Sequence, residues 1–342
     1  MSKKPIHIPF PLIFILILLN SCNTSRIFIS VLEPASVKIP VAIRSISIFP
    51  AAGIPDKHGV FDSIRYAAID TAYDYNVTRK GYLYGLYDVL SQSPRFLRVV
   101  IADSVYGRAV NSGVITWDLL KEICRHDSTD AVLLLKKAVA YDTLLVDPYN
   151  LGNNYSGNYE ITCNFDYKVI NYTRWAFYQP DVQVQTGTYA FTDTAYFYET
   201  GGCDRILSPV AMRSVLYSAC FFSGSEVARK LAPVWEDKTK RLFYTGPHWS
   251  LKDAAESVFN NQWEEAGQIW ESLSVSTNKH LASKAAFNTA LAWEREDNLD
   301  QAWLWVNYAD SLVSNKKMKT YRKILEKRIQ ERSLLDQQMP GD

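Results

Sequence analysis

Carboxylates are the side chains in this sequence best placed to do acid–base chemistry. Asp166, Asp181 and Asp193 fall near the ends of segments that alternate polar and apolar residues, and two carboxyl groups facing each other across a cleft could serve as general acid and general base. Asp also bonds its own backbone in turns, so turn-forming and solvated roles stand beside the catalytic one. His58, His126, His248 and His280 are far apart and in different predicted elements, which suits surface or locally bonded imidazoles better than a ligand cluster. Cys124, Cys163, Cys203 and Cys220 form no C-x-x-C pair and are spaced too widely for a zinc knuckle. In an oxidising compartment Cys163 and Cys203 could form a disulfide; buried free thiols fit equally well, and the sequence leaves both open. The chain contains no G-x-S-x-G, no phosphate-cradling glycine loop, no H-E-x-x-H and no EF-hand pattern. The expectation is a non-enzymatic protein with no metal and no cofactor.

Binding chemistry has more candidates. Tyr149, Tyr155, Tyr159, Tyr172, Trp175, Tyr178, Tyr189, Tyr196 and Tyr198 crowd one stretch, and exposed rings among them could stack on sugars. Strand propensity and core packing account for the same residues, so a glycan face requires several rings on one exposed surface. The run Lys316, Lys317, Lys319, Arg322 and Lys323 could touch anionic lipid or solvate a terminal helix. With 37 basic and 36 acidic residues, the chain offers no electrostatic case for nucleic acid.

Two lysines in residues 1–4 precede an almost wholly apolar run from Ile6 to Leu19, which ends at Asn20-Ser21-Cys22. That order is a charged n-region and a short h-region, and the run is shorter than the roughly 20 residues a membrane-spanning helix needs. Leu19-Asn20-Ser21-Cys22 resembles the lipobox of bacterial lipoproteins, with Asn20 departing from the usual small or hydroxyl residue. The resemblance implies cleavage before Cys22 and acylation of its thiol, which anchors the chain in membrane lipid. No aspartate follows directly at Asn23-Thr24-Ser25, and in a diderm bacterium the same resemblance implies the outer membrane, facing the periplasm.

The elements that must position these residues begin after a tether, residues 22–40. Ser45 to Phe49 predicts a strand entering a long loop towards Thr78, and Leu83, Leu86, Tyr87 and Leu90 predict a short helix stopped at Ser93-Pro94. Phe96 to Ile101 predicts a strand, Thr116 caps a helix bearing Trp117, Leu120, Ile123 and Cys124, and Ala131 to Leu135 predicts another strand. From Ile161 to Val169 apolar and polar residues alternate, and a Gln179-Pro180-Asp181 turn leads to a returning strand. Ser208-Pro209 starts a helix that runs to Ala232.

Beyond Ser250, read as the start of a capping box, amphipathic helices cover nearly everything to Leu335. Asn261-Gln262-Trp263-Glu264-Glu265-Ala266 matches Asp297-Asn298-Leu299-Asp300-Gln301-Ala302 after a shift of 36 residues. With Ala290, Trp293, Ala302 and Ala309, the second copy resembles a tetratricopeptide repeat, although Thr289 stands where that family favours leucine. The resemblance covers about Trp249 to Ser314, with a closing helix at Met318 to Gln338, and it implies a groove for a protein segment with Asn288 and Trp293 among its lining; packing within the repeat is the other role for both, and the favoured one for Trp293. Two repeats are fewer than usually stand alone.

The fold class expected is α+β, a mixed α/β sheet domain, followed by an all-α helical-repeat, tetratricopeptide-like domain. The boundaries are 1–21 signal peptide, 22–40 lipid-anchored tether, 41–245 α/β domain and 246–338 repeats with closing helix. In element order the front domain is similar to penicillin-binding-protein activators, the curli-secretion lipoprotein and the amino-terminal domain of TolB, and the whole layout to uncharacterised lipoproteins of diderm bacteria. Those resemblances imply a membrane-anchored adaptor or scaffold that binds another envelope protein. The alternative is a cell-wall or polysaccharide-binding envelope protein, which a hydrolytic pair of carboxylates would make an enzyme.

Overall fold

Val132, Leu134, Ala176 and Tyr178 face one side of a sheet while Ala131, Leu133, Leu135, Trp175 and Phe177 face the other, and both sets are buried. Strands buried on both faces need helices on both. The computed structural model describes residues 24–50, 71–102, 115–150, 161–202 and 209–339. The chain divides into two compact units: Pro34–Val234 with the last residues from Leu335, and Trp235–Leu334 with the N-terminal residues through Glu33. The fold is α+β followed by an all-α helical stretch.

In the first unit β2 (Ser45–Pro50), β3 (Arg98–Ile101) and β4 (Ala131–Asn150) run parallel in the order β3-β2-β4. The antiparallel β5 (Ile161–Gln179) and β6 (Val184–Gly202) extend the sheet beyond β4. Helices α1 (Thr71–Gln92) and α3 (Pro209–Leu231) cover one face through Tyr82, Leu86, Leu90, Ala219, Cys220 and Val227. Helix α2 (Trp117–Asp127) covers the other through Leu120, Ile123 and Cys124, and Thr116 Oγ1 caps it by accepting from Leu119 N–H.

Two elements are longer than the sequence pattern predicts, and a third forms where it predicts none. Helix α1 begins at Thr71 rather than near Leu83, with tertiary packing against α3 overriding a weak amphipathic signal. Strand β4 continues past Leu135 to Asn150 because a register shift between Leu135 and Lys137 exchanges its faces, so alternation restarts out of phase. Residues 24–33, read as tether, form strand β1 (Thr24–Glu33), which pairs with β7 (Val234–Tyr244).

The α1–α3 contact is set by glycine. A Cβ at Gly85 would overlap the carbonyl oxygen of Phe221, and Cβ atoms at Gly81 or Gly224 would also meet the opposing helix. Backbones this close leave no room for a methyl group.

In the second unit α4 (Trp249–Phe259), α5 (Trp263–Ser274), α6 (Lys279–Arg295) and α7 (Leu299–Leu312) form two helix pairs, closed by α8 (Lys316–Gln338). The 36-residue repeat is physical. Gln262 and Asn298 are the N-caps of α5 and α7, Asn261 and Asp297 both take left-handed φ values of 62° and 55°, and Ala266 and Ala302 are both fully buried. Helix α4 starts two residues earlier than the Ser250 box implies, with His248 as N-cap accepting from Ser250 N–H. Among the described residues no helix is long and apolar enough to cross a membrane.

Gly85→Ala is expected to cost about 1–3 kcal/mol by overpacking. Gly267→Ala, whose Cβ meets nothing, should be neutral or gain up to about 1 kcal/mol of helix stability. Hydrogen exchange checks both: the first change should accelerate exchange in α1 and α3 and leave α4–α8 untouched.

Candidate functional site

Asn288 sits on α6 and is fully buried, so it does not line an open groove. Its Oδ1 accepts from Tyr244 N–H at 2.7 Å and its Nδ2 donates to Tyr244 C=O at 2.7 Å. The amide thus grips the last residue of the chain's own β7, using both of its ends as it would on a bound peptide. Ile29 and Val31 of β1 and Phe243 and Tyr244 of β7 share a core with Leu251, Ala254, Ala286, Phe287 and Leu291. The helix face expected to receive a partner is therefore filled from within. The sequence hid this because β7 reads Val-Trp-Glu-Asp-Lys-Thr-Lys-Arg-Leu-Phe-Tyr, with apolar residues only at its ends.

Next to this contact lies a buried carboxylate. Glu294, with no exposure, accepts from Arg241 Nη2 at 2.6 Å and from Arg241 Nε at 2.9 Å and 3.0 Å. Arg328 Nη1 donates to it at 3.1 Å and Tyr321 Oη at 2.8 Å. Arg328 also holds Asp297 at 2.7 Å, so two guanidinium groups meet two carboxylates. Burial, and then the charge of Glu294, push the Tyr321 phenol well above its ordinary value. The network joins β7, α6 and α8, and no sequence motif announces it.

Trp293 lines an open groove of about 910 Å³ between α5 and α6. Trp263, Glu264, Glu265, Glu271 and Glu296 line it too, and Arg295 is its one cationic lining residue. The Arg295 guanidinium lies 5.0 Å from the centre of the Trp263 ring, a cation–π contact inside the groove itself. Arg295 also pairs with Glu296, so the groups left for a basic ligand are the carboxylates of Glu264, Glu265 and Glu271 and the ring of Trp293.

The first unit offers two other surfaces. A cleft of about 960 Å³ between α1 and the edge strand β3 is lined by Arg79, Lys80, Tyr84, Tyr87, Leu97 and Arg98. On the sheet, Tyr141 of β4, Tyr172 of β5 and Tyr196 and Tyr198 of β6 fall on one face by register. Tyr141, Tyr196 and Tyr198 are 50%, 58% and 74% exposed, so rings from two strands share one wet surface.

The remaining sequence candidates do not converge. Asp166 is exposed on β5, Asp181 is exposed in the β5–β6 turn, and Asp193 accepts from Lys230 Nζ at 3.2 Å on the opposite face from Asp166. His126 pairs with the adjacent Asp127 at 2.9 Å, and His280 is exposed. Burial pushes the thiol of Cys124 to about 11 and that of Cys220 to about 12, which leaves both protonated and unreactive at neutral pH. Cys22, His58 and Cys203 lie outside the described residues. Among the described residues no three His, Cys, Asp or Glu side chains come close enough to hold a metal.

Glu294→Ala strands two buried guanidinium groups and should cost about 3–5 kcal/mol, whereas Asp297→Asn, at a half-exposed carboxylate whose left-handed backbone asparagine tolerates, should cost less than about 1 kcal/mol. Urea midpoints followed by tryptophan emission separate the two. Tyr321 and Tyr82, also raised by burial, keep their protons when the unfolded chain loses its own near the ordinary value of 10.0. Their contribution to stability is full below that pH and is lost as pH rises above it towards the folded values. The urea midpoint should therefore fall above pH 10, less steeply in Tyr321→Phe.

A family model described as a domain of unknown function, DUF6340, matches residues 252–327, the helices α4–α8. No curated protein matches the chain. A second model, described as a domain of unknown function, DUF8603, matches residues 52–244, more than half of the sequence, so the chain belongs to the DUF8603 family.

Proposed function

We propose that the protein is a lipid-anchored, non-enzymatic adaptor of the bacterial envelope, held at the outer membrane by acyl chains on Cys22 and facing the periplasm. Its partner presents a basic segment to the groove between α5 and α6. The observation that carries this reading is the placement of Trp263 and Trp293 in one open groove with four glutamates and a single arginine. Arg295 over Trp263 is a contact of the kind that a partner's arginine or lysine would make with Trp293 and supports this reading. The order of lysines, apolar run and Leu19-Asn20-Ser21-Cys22 supports the anchor.

A photo-crosslinker at exposed Gln268, in the groove, should trap one protein in intact cells. Glu264→Lys with Glu265→Lys and Glu271→Lys should abolish that adduct while the helices stay folded by circular dichroism. An adduct that survives the charge reversal refutes the groove. Labelling with a fatty acid that vanishes in Cys22→Ser tests the anchor separately.

A second reading is favoured by one observation, the shared face of Tyr141, Tyr196 and Tyr198. Such rings stack on sugars, which would make the sheet a polysaccharide-binding surface. Replacement of all three by serine should then release the protein from isolated cell wall without touching the crosslink at Gln268.

A further inference from the structure

The proposed acylation site and the start of β1 are separated by one residue, Asn23. A chain spans at most about 3.6 Å per residue, so Cys22 Cα lies within about 7 Å of Thr24 Cα. Thr24 is not at the end of a free tether. Its Oγ1 accepts from Lys317 Nζ at 3.3 Å, and Lys317 belongs to the first turn of α8. The same ammonium lies 5.3 Å from the centre of the Tyr244 ring, and Lys284 of α6 approaches that ring at 5.7 Å. Lys316 and Lys319 are exposed beside Lys317, and α8 has no acid in its first turn. Arg26 is exposed two residues along β1, on the same strand face as Thr24. Cations from β1, α6 and α8 thus gather where the chain leaves towards Cys22.

We propose that Arg26, Lys284, Lys316, Lys317 and Lys319 form the face with which the protein rests on the anionic phospholipid head groups of its own membrane. This rests on the anchoring of Cys22. Acyl chains fix a point at the bilayer surface but leave the rest of the molecule free to pivot about it. Cations beside Thr24, where the chain leaves towards that point, meet the same surface and restrict the pivot, most strongly at low ionic strength. Each contributes roughly fivefold to partitioning onto an anionic surface. The arrangement holds one face of the helical unit to the lipid and sets the direction in which its other faces point.

The test uses the full mature chain with Cys22→Ser, so that no acyl chain contributes, and vesicles of phosphatidylcholine with or without phosphatidylglycerol. The expected result is co-sedimentation with the anionic vesicles alone, weakened at high salt. Lys316→Glu with Lys317→Glu and Lys319→Glu should reduce it at least tenfold. Lys137→Glu with Lys238→Glu and Lys252→Glu makes the same change of charge at exposed sites elsewhere and should retain most of the binding. Equal loss in the two triple variants overturns the proposal, as does indifference to lipid charge or an absence of binding; circular dichroism excludes unfolding in either variant. Because no variant is acylated, vesicle binding stands or falls independently of fatty-acid labelling at Cys22. A chain that binds vesicles but takes no label keeps this surface and loses the anchor.

Discussion

A carboxylate with no solvent exposure is tolerated only where cations and donors replace its water, and Glu294 obtains them from elements distant in sequence. Arg241 arrives on β7, and Arg328 and Tyr321 on α8. The three elements must come together at once, because any one missing leaves a buried charge uncompensated. With β7 held, Asn288 closes on Tyr244, and β1, paired to β7, is fixed in turn. The place where the chain enters the helical unit at Thr24, beside Lys317, thus traces back to one glutamate.

The same constraint explains how two helix pairs suffice. Repeats bury their apolar faces on neighbours, and a pair of them leaves a face uncovered. Here Ile29, Val31, Phe243 and Tyr244 cover it. The contact that makes so short an array stable occupies the surface on which longer arrays take ligands, which moves the open groove to the seam between α5 and α6.

Much of this fold is legible in the sequence where a local rule applies. Trp263 and Leu299 open equivalent helices because the 36-residue offset carries the turn residues Asn261 and Asp297 with it. The β5–β6 hairpin and the Thr116 cap follow from alternation and hydroxyl chemistry. What escapes is non-local. Strand β1 resembles a tether because its apolar residues, Ile27, Phe28, Ile29, Val31 and Leu32, do not alternate cleanly and say nothing about a partner two hundred residues away, and β7 has a charged middle. Trp293 packs partly on the helical core and also lines the groove, two roles its type does not separate, and Asn288 serves the chain itself, since an amide on a helix looks the same whether it holds a guest or its own strand.

Composition concealed the rest. A formal net charge of +1 suggests a bland surface, but charge is sorted by place. Four glutamates stand with two tryptophans between α5 and α6, and lysines of α6 and α8 meet around Tyr244 and Thr24. Within the helical unit the two clusters have opposite sign, and a near-neutral sum conceals both. Charge balance argues against a partner only when it holds locally, and here it does not.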